Sequence, residues 1–244
     1  MRLSRILLIL AILLSMLSLH TALDAKKKKK EVEIKLYLDD AQLENPEYYN
    51  KLPVLSLESF ATALLTPKTT NFKIINHNYQ IARADSKIAE EMIAVSLGMR
   101  QEFVKVEAEG KSLLSGNLEG SEAEISEAMK TKLEDLKNNK AQLSESQKVY
   151  FLSGFIFLTS SIIREKIVLE STKMFVKKKK NAKGLDAVFY VKDIPYATNV
   201  VVGLPTLLTT QMKTISEFIT IAKTQNIDIP EDVTVMGDRL YLEL

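Results

Sequence analysis

Cysteine is absent from the 244 residues, and so is tryptophan. Without thiols the chain can form no disulfide, no zinc-thiolate or iron–sulfur site and no cysteine nucleophile. A bacterial lipoprotein anchor, which needs a cysteine at its cleavage point, is excluded with them. Glycine and proline are scarce, at 8 and 6, which favours long helices over many short strands and turns. Histidine is almost missing. His20 lies in an apolar N-terminal stretch, which leaves His77 for the body of the protein.

These shortages bear on chemistry. His77 sits between Asn76 and Asn78 and is expected in a loop ahead of a long helix, as an ordinary polar or capping residue. As a catalytic base it would need a serine and a carboxylate that no local motif supplies. Neither G-x-S-x-G nor H-E-x-x-H occurs. A di-iron bundle wants Glu-x-x-His pairs, for which the histidines are too few. Gly116–Gly120 has no Lys-Ser/Thr behind it, so it is no phosphate loop. The calcium-loop pattern of alternating acids is absent too. Asp39-Asp40 and Glu90-Glu91 are adjacent acids whose members diverge on a helix, and they are expected on a solvated surface. The chain is therefore read as non-enzymatic, with no catalytic residue, metal or cofactor implied.

Charge is balanced as well. The formal net charge is +2, and taking away Arg2, Arg5 and Asp24 with residues 1–25 leaves +1. That is no field for nucleic acid, and the aromatic interleaving used to stack single-stranded bases is missing.

What is present begins at the N-terminus. Arg2 and Arg5 precede an apolar run, Ile6–Leu19, followed by Ala22 and Ala25. That order of charge, apolar core and small residues is the pattern of a secretory signal peptide. The run is short for a spanning helix. Lys26–Lys30 behind it opposes export, so an uncleaved N-terminal anchor and a cytoplasmic protein are the alternatives. The expected division is a signal peptide or anchor over 1–25 and a single helical domain over 26–244, with a lysine-rich linker at 26–30. The expected location is the bacterial periplasm or cell envelope.

Glu31–Leu38 alternates apolar and polar residues, the period of a half-buried strand. Asn45-Pro46 and Leu52-Pro53 read as turns, and Ser56–Leu65 as a short amphipathic helix ended by Thr66-Pro67. From Asn78 a 3.6-residue period takes over. Ile81, Ile88, Met92, Val95, Met99, Phe103 and Val106 form one stripe through about Leu114. Ser121-Glu-Ala-Glu124 and Ser144-Glu-Ser-Gln147 have the form of capping boxes, each opening a further helix. Asn138-Asn139 is expected to bend the first of them. Residues 186–193 fit either strand or helix. A last long helix is expected from Pro195 or Tyr196 to about Gln225, interrupted near Pro205. Val233–Leu244 reads as a hairpin about Gly237-Asp238, able to pair with the N-terminal strand.

The chain is organised around Val149–Leu169. Its first half is apolar on nearly every side, which belongs to the middle of a protein or to a membrane. Arg164, Glu165 and Lys166 interrupt it after about 15 residues, short of the roughly 20 needed to cross a bilayer. Ser153 and Ser160, and likewise Gly154 and Ser161, recur at heptad spacing and would let a neighbouring helix approach closely. The fold expected is mainly α, a bundle of about four long helices with a small strand or hairpin element formed by the chain ends.

Two functional readings follow. In the first the chain is an exported structural or interaction protein of the cell envelope. In the second the bundle carries a lipid or other apolar ligand against Met99, Phe151, Phe155, Phe157 and Ile162. Lys177, Lys178, Lys179 and Lys180 would then meet an anionic head group or membrane surface. The plainer account of those side chains is core packing for the apolar set and complementation of the helix dipole for the lysines.

Overall fold

The computed structural model describes residues 35–108, 121–180 and 193–242. The expected signal segment, Lys26–Lys30, the first residues of the expected N-terminal strand, Gly116–Gly120 and nearly all of 186–193 lie outside the described residues. Among those described, every regular element is a helix. In chain order they are α1 (Asp40–Glu44), α2 (Pro46–Tyr49), α3 (Leu52–Leu64), α4 (Phe72–Ser96), α5 (Arg100–Ala108), α6 (Ser121–Lys137), α7 (Glu145–Lys180), α8 (Asp193–Thr224) and α9 (Glu231–Leu242).

α7 is the axis. It opens on the capping box foreseen in the sequence: Gln147 N–H donates to Ser144 Oγ, and Ser144 N–H donates to Gln147 Oε1. Its 36 residues span about 54 Å at 1.5 Å per residue. From Phe155 to Arg164 every side chain is buried, because α3, α4 and α8 all pack on α7. That is why its apolar residues can point all ways. No helix among the described residues is long and apolar enough to cross a membrane.

Gly154 and Ser161 do what their spacing predicts, whereas the Ser153 and Ser160 hydroxyls bond to carbonyls of α7 itself. Ser161 Oγ donates to the carbonyl of Ala82 on α4 at 2.8 Å, and Gly154, one heptad earlier, faces Ala89, one heptad later. α4 and α7 are therefore antiparallel along a seam of Ala82 and Ala89 against Ser161 and Gly154. A Cβ at residue 154 would lie 2.8 Å from Ile93 Cδ1 and Cγ1 and 3.1 Å from the Ala89 carbonyl. Gly154→Ala gains up to about 1 kcal/mol of helix propensity but overpacks at about 1–3 kcal/mol. We expect a net loss of about 1 kcal/mol in urea unfolding. In an Ile93→Ala background, which empties the space, the same change should become neutral or stabilising. A loss of equal size in both backgrounds would show that the helices do not meet there.

Positive φ angles mark the helix ends. Gly98 (φ 65°), Asn139 (58°) and Asn226 (54°) each follow a helix. In each case the next residue's N–H returns to a carbonyl five residues back: Met99 to Ala94, Lys140 to Asp135 and Ile227 to Ala222. These are Schellman closures, which suit glycine and asparagine. The turn after Lys137 thus terminates α6 where Asn138-Asn139 was expected only to bend it. Gln225, fully buried, ties that turn to the end of α8. Its Nε2 donates to the Leu136 and Ala141 carbonyls, and its Oε1 accepts from Leu143 N–H.

Several expectations are corrected. The two X-Pro pairs start helices: Asn45 caps α2 with Pro46 at its first position, and Pro53 lies in the first turn of α3. Proline is at home there because the first N–H groups of a helix have no partner. α4 starts at Phe72, capped by the Asn71 side chain, so His77 is an exposed helical residue and not part of a loop. Pro205 lies inside α8, which continues past it.

The strand and hairpin of the chain ends are not formed among the described residues. Residues 35–39 are irregular. Glu231–Leu242 is helical, with Glu231 and Asp232 in its first turn, where acids suit the dipole. In a strand Val233 and Val235 would share a face. Here Val233 is 0% exposed and Val235 40%.

Candidate functional site

The side chains singled out from the sequence separate into two places. Met99, Phe151, Phe155, Phe157 and Ile162 all belong to one buried cluster, none more than 4% exposed. Phe151 lies against Phe218 of α8 with ring centroids 5.2 Å apart, and Phe157 meets the edge of Tyr37 at 6.0 Å. Lys177 and Lys178 are exposed at the far end of α7, and Lys179 sits 5.4 Å from the Phe175 ring centroid. Phe155 and Lys177 are 22 residues apart on one helix, about 33 Å along its axis. Lys177 and Lys178 therefore stand well away from Phe155 along α7, and the phenylalanine of the buried cluster beside Lys179 is Phe175. A cleft of about 280 Å³, bordered by Leu97, Leu136 and Leu143, lies elsewhere, at the α6–α7 turn.

What the sequence reading missed is polar and buried. Arg164, 4% exposed, donates from Nε to Asp85 Oδ2 at 3.1 Å, from Nη1 to Thr66 Oγ1 at 3.1 Å and from Nη2 to the Ser59 carbonyl at 3.3 Å. Ser59 Oγ adds a bond to Asp85 Oδ2. One guanidinium thus joins α3, α4 and α7. Burial pushes the Asp85 carboxyl above its usual range, and Arg164 and Ser59 pull it back only in part.

Next to Arg164 in the chain, Glu165 is 1% exposed. Its Oε1 accepts from Gln211 Nε2 of α8 at 3.5 Å and lies 3.3 Å from Ser161 Oγ, whose one proton it shares with the nearer Ala82 carbonyl. Glu165 Oε2 and Gln211 Oε1 are buried with no hydrogen-bond partner. Burial raises the Glu165 carboxyl to about 7, with Gln211, Ser161 and the charge of Arg83 acting against it.

A second polar cluster sits toward the start of α7. Glu91, 2% exposed, accepts from the backbone N–H of Tyr37 at 2.7 Å and of Leu38 at 3.0 Å. Arg100 Nη2 lies 3.9 Å from it and also holds the Leu38 carbonyl, while Nη1 holds Asp40. These bonds strap residues 37–40 to α4 and the start of α5. Beside them Tyr150 hydroxyl is buried without a partner, and burial pushes its phenol and that of Tyr48 upward.

The solvated surface expected for Glu90-Glu91 is thereby corrected: both are buried, Glu91 because two backbone donors and a cation replace its water. The available signal was Arg164-Glu165 directly behind the largely apolar stretch 149–163, which marks charge that the core must satisfy rather than the core's end. Among the described residues no three of His, Cys, Asp and Glu converge where they could hold a metal ion. The chain matches no family model, no curated protein and no solved structure.

Proposed function

We propose that the chain is an exported, non-enzymatic helical protein of the cell envelope. The observation that carries this reading is the order of Arg2 and Arg5, the apolar run Ile6–Leu19 and the small residues Ala22 and Ala25. The body supports a structural role, since Arg164, Asp85, Glu91 and Gln225 spend their bonding capacity on other helices and turns of the same chain. Rings already packed against Phe218 and Tyr37 favour this over a carrier of an apolar ligand, because a dry cavity is costly to keep open. Native mass spectrometry after organic extraction addresses the carrier, which predicts a lost apolar adduct.

The export reading is tested by intact mass and fractionation of the protein from its native host. A mass lacking the residues up to Ala22 or Ala25, outside the cytoplasm, is the expected result. Full mass in the membrane fraction would make the N-terminus an anchor. Full mass in the cytoplasm would overturn the proposal.

A further inference from the structure

Glu165 and Gln211 meet across the α7–α8 interface in an arrangement that lacks one hydrogen. Gln211 Nε2 donates to Glu165 Oε1, while the other carboxyl oxygen, Glu165 Oε2, and the amide oxygen of Gln211 are buried and unpartnered. A carboxylate offers acceptors alone, so two oxygens are left with nothing to accept from. A carboxylic acid supplies the missing donor. We propose that Glu165 is a proton-operated latch between α7 and α8: protonated, it donates from Oε2 to Gln211 Oε1 and closes a two-bond acid–amide pair.

The surroundings favour the neutral form. From α7 itself Ser161 offers Glu165 Oε1 only a proton shared with the nearer Ala82 carbonyl, and the neighbouring Arg164 is already committed to Asp85 of α4. From α4 Arg83, whose own side chain is exposed, is the cation that pulls toward ionisation. From α8 the facing group, Gln211, is uncharged. α3 brings Ser59, bound to Asp85. Among the described residues no cation is hydrogen-bonded to Glu165 as Arg164 is to Asp85, and an unpaired buried carboxylate is unfavourable.

The sign follows from linkage. In the unfolded chain Glu165 ionises near 4.5, and in the fold near 7. In the fold the latch stays closed until pH nears the upper value, and its contribution to stability is complete below the lower value and is lost as pH rises through the upper one. Stability should fall between those limits, and α8 should loosen from α7.

Carbon-13 NMR of the glutamate side-chain carboxyls in the unaltered chain tests this directly, with the Glu165 signal assigned through its backbone. A midpoint above about 6 is expected, and one in the ordinary glutamate range would overturn the latch, whether a cation or a water serves the two oxygens. Glu165→Gln, which keeps shape and removes the proton, should flatten the fall in melting temperature between pH 5 and 7.5. An unchanged fall in a folded Glu165→Gln chain would overturn it equally.

Discussion

Phe155→Asp is expected to leave a chain with no cooperative unfolding transition. Phe155 is 1% exposed, in the middle of the helix on which α3, α4 and α8 all lean. Phe155 packs in a cluster of buried apolar side chains, so the new carboxylate would be buried unpaired or would have to take up a proton. Either course costs several kcal/mol, and deletion of the ring costs about 3–5 kcal/mol more. A domain of this kind is stable by about 5–15 kcal/mol in total. Phe155→Ala, which carries the second cost alone, should fold with a transition displaced by about 3–5 kcal/mol. Circular dichroism and urea titration of the two variants separate these outcomes. Wild-type melting of Phe155→Asp, with weaker recovery on membranes, would place this face of α7 outside the core.

Arg164→Met should cost about 3–5 kcal/mol, because it leaves Asp85 buried without its cation. The loss should exceed that of the double change Arg164→Met with Asp85→Leu, in which neither charge remains. Double-mutant cycles in urea would measure this coupling. A pH signature accompanies it. Burial already raises Asp85 above 3.8 in the fold, and removing Arg164 raises it further. A group with a raised folded value stabilises fully below its unfolded value and loses that contribution as pH rises. The penalty of Arg164→Met should therefore shrink on acidification. A penalty that is constant from pH 3 to pH 7, or a double variant worse than both single ones, would show that the ion pair does not govern this site.

Local signals wrote much of this architecture into the chain. The capping box at Ser144, the heptad of small residues and the apolar run of Val149–Ile163 each act within a turn or two of helix, and each is found where its pattern places it. Val233–Leu242 failed for the same reason. Its alternation is short, and the choice between strand and helix was made by Pro230 before it and by the core that receives Val233. Glu91 and Arg164 were illegible in another way. Their partners lie 53 and 79 residues off in the chain, so nothing nearby distinguishes an acid strapped to a distant backbone from one facing water. The seven-residue spacing of Ala82 and Ala89 opposite Ser161 and Gly154 was the available hint that α4 lies close on α7. Contact at that distance puts whatever charge flanks the seam indoors.

The seam also sets an order in time. Ala82 and Ser161, hydrogen-bonded in the fold, are 79 residues apart in the chain. Synthesis at about 5–20 residues per second delivers Ser161 some 4–16 s after Ala82. Until then α3 and α4 have made their apolar faces but lack the helix that would cover them. A chain whose axis arrives this late stays open along its first half while it is being made. If the chain is exported as proposed above, that delay would leave its leading segments without their α7 partner as they reach the membrane.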